Sequence, residues 1–162
     1  MAIFNKNTLA QVSGFDNPIL AGELVWGQQT YWNLTFTNSA TSLPIDLTGA
    51  TIDAQIVRRQ LTNVVDTRNG LTFDIADYDP APAAIPLTVT NINPTVGQCT
   101  LVIDADAWSL MDSDPQLEID AASPVGYSGR VKVSLPASGS TPADDSIIFL
   151  LFIVRSDGVV VL

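Results

Sequence analysis

Histidine is absent from this 162-residue chain, and there is one cysteine, Cys99. Without histidine the commonest general acid–base group near neutral pH is missing, and so is any nucleophile–histidine triad. A lone cysteine forbids an internal disulfide, and with no histidine a Cys/His zinc site is excluded too. Basic residues are scarce: seven Lys plus Arg stand against seventeen Asp plus Glu, a formal net charge of −10. Phosphate backbones and anionic membrane surfaces are held by clustered cations, so the composition argues against nucleic acid and membrane as partners. Long hydrophobic runs are also missing. The longest, Ile147 to Val154 (IIFLLFIV), is far shorter than the roughly 20 residues a helix needs to cross a bilayer. The opening MAIFNKNTLAQVSGF lacks the apolar centre of a secretory leader. No P-loop, GxGxxG, GxSxG or CxxC spacing occurs. The expectation is a protein that is not an enzyme and carries no cofactor.

What is present is a folding sequence. Hydrophobic residues make up 46% of the chain, ample for a core without a covalent staple. Its length suits one domain with an extension. Residues 1–28 show no clear period; Gly14, Asn17-Pro18, Gly22 and Gly27 punctuate them. They read as an N-terminal arm, with residues 29–162 as the folded domain.

Beyond residue 28, alternation with a period of two predominates. In QTYWNLTFT (29–37), Trp32, Leu34 and Phe36 share one face, with Tyr31, Asn33 and Thr35 on the other. Similar patterns run through 50–59, 70–76, 85–90 and 98–104, where Cys99, Leu101 and Ile103 face inward. In GYSGRVKVSLP (126–136), Tyr127, Val131, Val133 and Leu135 face one way while Ser128, Arg130, Lys132 and Ser134 face water. IIFLLFIV has no polar face, so it reads as a strand covered on both sides. A short terminal strand is expected at 159–162, after a Ser156-Asp157-Gly158 turn. One helix is expected over ADAWSLMDS (105–113), capped by Asp104 or Asp106, with Trp108 and Met111 or Leu110 turned inward. The sum is an all-β antiparallel sandwich of about seven to eight strands with a short connecting helix and an extended N-terminal arm.

LPIDLTG (43–49) lies between two of these strands. Asp46 is suited to bond nearby backbone N–H groups and Gly49 to take positive φ. With no base or nucleophile close in sequence, Asp46 reads as part of a chain corner rather than as a catalytic acid.

Carboxylates are plentiful. Asp112, Asp114 and Glu118 are weak candidate ligands for a hard cation such as calcium, but Pro115 follows and the EF-hand spacing is absent. Solvated loop charge is the plainer reading. Trp26 and Tyr31 could stack on a sugar, although core or interface packing explains them as well. Cys99 reads as a small core residue. The apolar side chains of the arm and of the last strands, Ile3, Phe4, Phe15, Ile19, Leu20, Trp26, Phe149, Phe152 and Val160, are the candidate interface residues.

The order of these signals resembles the N-terminal β-sandwich domain of tailed-bacteriophage baseplate and tail-fibre proteins of the upper-baseplate kind. The matching residues are Gly27 to Leu34, then Pro44-Ile45-Asp46-Leu47-Thr48-Gly49, then a strand ending at Arg59, and later a short helix, a tyrosine-bearing strand and a DG turn. They cover roughly residues 27–162 and depart from the pattern in an unusually apolar final strand. The MAIFNKN start and acidic composition are also similar to small structural proteins of marine cyanophages. The resemblance implies a virion structural protein, a homo-oligomeric tail, baseplate or fibre-attachment adaptor that contacts copies of itself and other virion proteins. A capsid decoration (cement) protein is the alternative within that class, and a carbohydrate- or calcium-binding β-sandwich module the alternative outside it.

Overall fold

The computed structural model describes residues 19–38, 41–67, 70–114, 124–140 and 142–155. Among the described residues, nine strands and one α-helix are arranged as two packed sheets, an all-β sandwich-like fold. In chain order the strands are β1 (Ile19–Val25), β2 (Thr30–Thr35), β3 (Thr51–Thr67), β4 (Gly70–Ala76), β5 (Ile85–Pro86), β6 (Thr88–Asn93), β7 (Gln98–Ile103), β8 (Val125–Leu135) and β9 (Asp144–Arg155), with α1 (Ala105–Asp112) after β7. The larger sheet runs β1-β9-β8-β3-β4, with β5 also on β3; the smaller runs β2-β7-β6.

The core lies between the sheets. The larger sheet contributes Leu20, Leu24, Ala54, Ile56, Tyr127, Val131, Val133, Ile148, Leu150, Phe152 and Val154, and the smaller Trp32, Leu34, Cys99, Leu101 and Ile103. Every second side chain of a strand points to one face, so alternation in sequence becomes a buried layer. Trp32 and Phe152 join the layers, stacked with ring centroids 4.9 Å apart and 15° between planes.

Four features differ from the sequence reading. Residues 19–25, read as part of the arm, form β1, and it pairs in parallel with β9, from Ile19 beside Phe149 to Val25 beside Arg155. The sandwich is therefore not wholly antiparallel and takes in residues before 29. The expected strand 50–59 continues to Thr67. The expected strand 85–90 is divided between the sheets: β5 pairs with β3 and β6 with β7. The crossing residue, Leu87, is buried and its N–H donates to the Ala54 carbonyl at 2.8 Å. Finally, the expected strand 159–162 lies outside the described residues.

The corner at Asp46 is an Asx turn. Asp46 Oδ1 accepts from the Thr48 backbone N–H at 2.9 Å and from the Thr48 hydroxyl at 2.6 Å, which hold the carboxyl below its ordinary pKa. Gly49 has φ +76°. The corner is tied to the 3-10 turn Pro94–Val96, because the Leu47 N–H donates to the Pro94 carbonyl at 2.8 Å. Gly97 closes that turn at φ +65°, and a Cβ there would lie 2.7 Å from the carbonyl oxygens of both Phe36 and Ile45.

Helix α1 begins where its cap places it. Asp104 Oδ1 accepts from the Ala107 N–H at 3.0 Å, and its Oδ2 accepts from Thr88 Oγ1 at 2.5 Å. Both bonds favour the charged carboxylate, with the Thr88 contribution the larger, so its pKa is lowered. Trp108 and Met111 face the core while Leu110 is exposed.

Candidate interaction surfaces

Among the nine sequence-derived interface residues, Ile3, Phe4, Phe15 and Val160 lie outside the described residues. Two others must be corrected. Leu20 and Phe152 are 1% and 0% exposed and belong to the chain's own core, so neither is available to a partner. The reason is strand parity. In β9 the even positions Ile148, Leu150, Phe152 and Val154 face the smaller sheet, a choice an all-apolar run does not reveal. Trp26 is half-buried and sits edge-on against Trp108, 5.1 Å between centroids at 64°. The Trp108 indole N–H in turn donates to the Gln28 carbonyl at 3.1 Å, fixing the pair inside the fold. A sugar platform of Trp26 with Tyr31 therefore has only Tyr31, 57% exposed, fully presented to solvent. Ile19 and Phe149 remain at the surface, and Phe149 is 46% exposed.

The cation candidates do not converge. Asp112 is exposed, Asp114 is engaged by Arg58, and Glu118 lies outside the described residues. Among the described residues no group of three metal-ligating side chains comes together. Cys99 is buried, and desolvation pushes its thiol up to about 11, so near neutral pH it is protonated and inert.

Three features were not apparent from sequence. The first is Arg58, 4% exposed on the inward face of β3. Its Nε donates to Asp114 Oδ2 at 2.7 Å, and its guanidinium lies 4.2 Å over the Tyr78 ring. The Arg58 Nη2 and the Tyr127 hydroxyl are both buried with no hydrogen-bond partner among the described residues, and burial raises the Tyr127 pKa. A hollow of about 310 Å³ between the Pro80–Ala84 segment, Leu110 and Asp114 adjoins this arginine. Charged residues default to the outside in a sequence reading, and here the alternating pattern itself was the available signal: Ala54, Ile56 and Arg58 share one face.

The second feature is a ribbon. Beyond Arg59 the pairing of β3 with β8 ends, and from Gln60 its ladder partner is β4. Among the described residues β4 is an edge strand. On this two-stranded extension Val64, Val65 and Ile75 are 39%, 53% and 42% exposed.

The third is a depression of about 550 Å³ on the outer face of the larger sheet. It runs from Ile19 past Phe149, Leu151 and Arg130 to Val57 and Ala84. Arg130 Nε is buried there without an acceptor among the described residues.

No protein-family model matches the chain, and no curated protein is significantly similar to it.

Proposed function

We propose that this chain is a non-enzymatic structural protein of a tailed-bacteriophage virion, an adaptor of the tail, baseplate or fibre-attachment region that works by packing against copies of itself and neighbouring virion proteins. The observation that carries this reading is the β3–β4 ribbon. A two-stranded ribbon is marginal in water unless it packs on something. This one extends past its sheet with apolar side chains open to solvent, Val65 and Ile75 foremost. Such side chains on an edge suit association, and a second copy of the chain is the partner that the reading commits to. The phage setting rests on the resemblance around Pro44 to Gly49 and on the order of strands and helix that follows it. The corner there is a turn that positions strands, in keeping with a building block.

The test is the mass of the protein in solution by sedimentation, from nanomolar to high micromolar concentration. A defined oligomer is expected. Val65→Asp with Ile75→Asp should return it to monomer with its unfolding midpoint little changed, since both residues are exposed. A protein that stays monomeric throughout, and that binds calcium or a glycan saturably, would replace the adaptor with a binding module.

A further inference from the structure

We propose that the hollow beside Arg58 is a binding site for a small uncharged carboxamide, whose carbonyl oxygen accepts from Arg58 Nη2 and whose N–H donates to Asp114. Three observations carry the proposal.

The first is a shortage of acceptors. Arg58 is 4% exposed and lines the hollow. Asp114 takes its Nε, and the Tyr78 ring covers one face of the guanidinium, so further bonds lie in the guanidinium plane. Nη2 lies in that plane, buried and with no acceptor among the described residues. Tyr127 stands opposite Arg58 across the β3–β8 ladder, and its hydroxyl is likewise buried without a partner among the described residues. Buried donors left unanswered are costly, so what this place lacks is an acceptor oxygen.

The second is charge. Asp114 Oδ2 lies 2.7 Å from Arg58 Nε, so the guanidinium already has its counter-ion. A ligand carboxylate would sit beside the Asp114 carboxylate, in a chain of net charge −10. A neutral carbonyl meets no such repulsion. Asp114 also lines the hollow, and a carboxylate accepts up to about four hydrogen bonds. A donor at Nη2 with an acceptor at Asp114 is the complement of the C=O and N–H of an amide.

The third is the shape of the remainder. Pro80, Pro82, Ala83, Ile85 and Leu110 make the other walls apolar. The volume is about 310 Å³, and at about 30 Å³ for each water-sized group it holds roughly ten non-hydrogen atoms. That suits an amide on a short alkyl chain. Apolar walls with a few placed polar groups are the usual form of a small-molecule site. The site does not involve the ribbon and stands independently of the virion reading.

The test is an NMR titration of the isotope-labelled full chain with butyramide and, separately, with butyrate. Butyramide should give saturable shifts at the Arg58 Nε–H and at the Leu110 and Ala83 methyls. Butyrate should bind about tenfold more weakly or worse, since it adds a like charge and brings no N–H. Arg58→Lys keeps the charge but loses the planar donor, and should weaken butyramide binding. Ala83→Trp fills the mouth of the hollow from an exposed position, so it should abolish the saturable shifts with the unfolding midpoint little changed. Shifts that rise without saturating, shifts that persist in Ala83→Trp, or equal affinity for butyrate would each overturn the proposal.

Discussion

Trp32 and Phe152 stack across the interior at 4.9 Å, and through them the smaller sheet is keyed to the centre of the larger. Three residues earlier in the same strand, Phe149 points the opposite way and is 46% exposed. The two phenylalanines therefore predict unequal losses. Phe152→Ala should cost about 3–5 kcal/mol, because transfer and cavity terms add in a fully buried site. Phe149→Ala should cost about 1 kcal/mol or less. Urea unfolding of both variants checks this, and equal losses would contradict the parity assigned to β9.

Asp104 links the start of α1 to β6 through two hydrogen bonds, so its removal acts on both. Asp104→Ala should cost about 1 kcal/mol, as loss of a helix cap does. Its lowered pKa also fixes a sign. The carboxylate stabilises the fold above its unfolded pKa near 3.8, and that contribution is lost as pH falls through the lower folded value. Asp104→Asn keeps a capping oxygen but cannot titrate. Its stability should fall less steeply between about pH 4 and pH 2 than that of the parent, measured as urea midpoints against pH.

Arg58 and Asp114 make a pair in which the cation is the more deeply buried member, 4% against 19% exposed. Removing the acid leaves a guanidinium in a poor solvent. Asp114→Ala should cost about 2–3 kcal/mol, below the range for fully buried pairs because Asp114 retains some solvent contact. Adding Arg58→Met should recover part of that loss. A double variant worse than Asp114→Ala alone would mean the guanidinium is worth more to Tyr78 than its unpaired charge costs.

Glycines at positive φ are not equivalent. Gly139, at φ +58°, has nothing within 4 Å of a would-be Cβ, so Gly139→Ala should cost about 1–2 kcal/mol from backbone conformation alone. Gly97→Ala adds a collision with two carbonyl oxygens and should cost at least about 1 kcal/mol more. The comparison of the two melting curves is the measurement.

How much of this was legible depends on where polarity marks a face. In β8 the polar set Ser128, Arg130, Lys132 and Ser134 left Tyr127, Val131 and Val133 as the inward face, and they are buried. The Asp46 turn was legible because its bonds are local, between residues two apart. In β9 both faces are apolar, so the burial of Phe152 and exposure of Phe149 follow only from pairing with distant strands. β1 was hidden because Ala21 and Gly22 blur its period and its partner lies at the far end of the chain. Arg58 was hidden because an arginine among aliphatic residues reads as a snorkelling side chain rather than a buried one.

The partnership of the first described strand with the last has a consequence for how the chain comes to be folded. During synthesis, Ile19–Val25 has no ladder partner until Asp144–Arg155 has left the ribosome, because in the described sheet β1 hydrogen-bonds to β9 alone. Contacts this remote in sequence close slowly, since the intervening chain must be ordered first. The apolar residues Leu20 and Leu24 must wait in water until their ladder partners Leu150 and Val154 have been made. A truncation that removes Asp144–Arg155 leaves them waiting indefinitely, and such a fragment should aggregate through this strand.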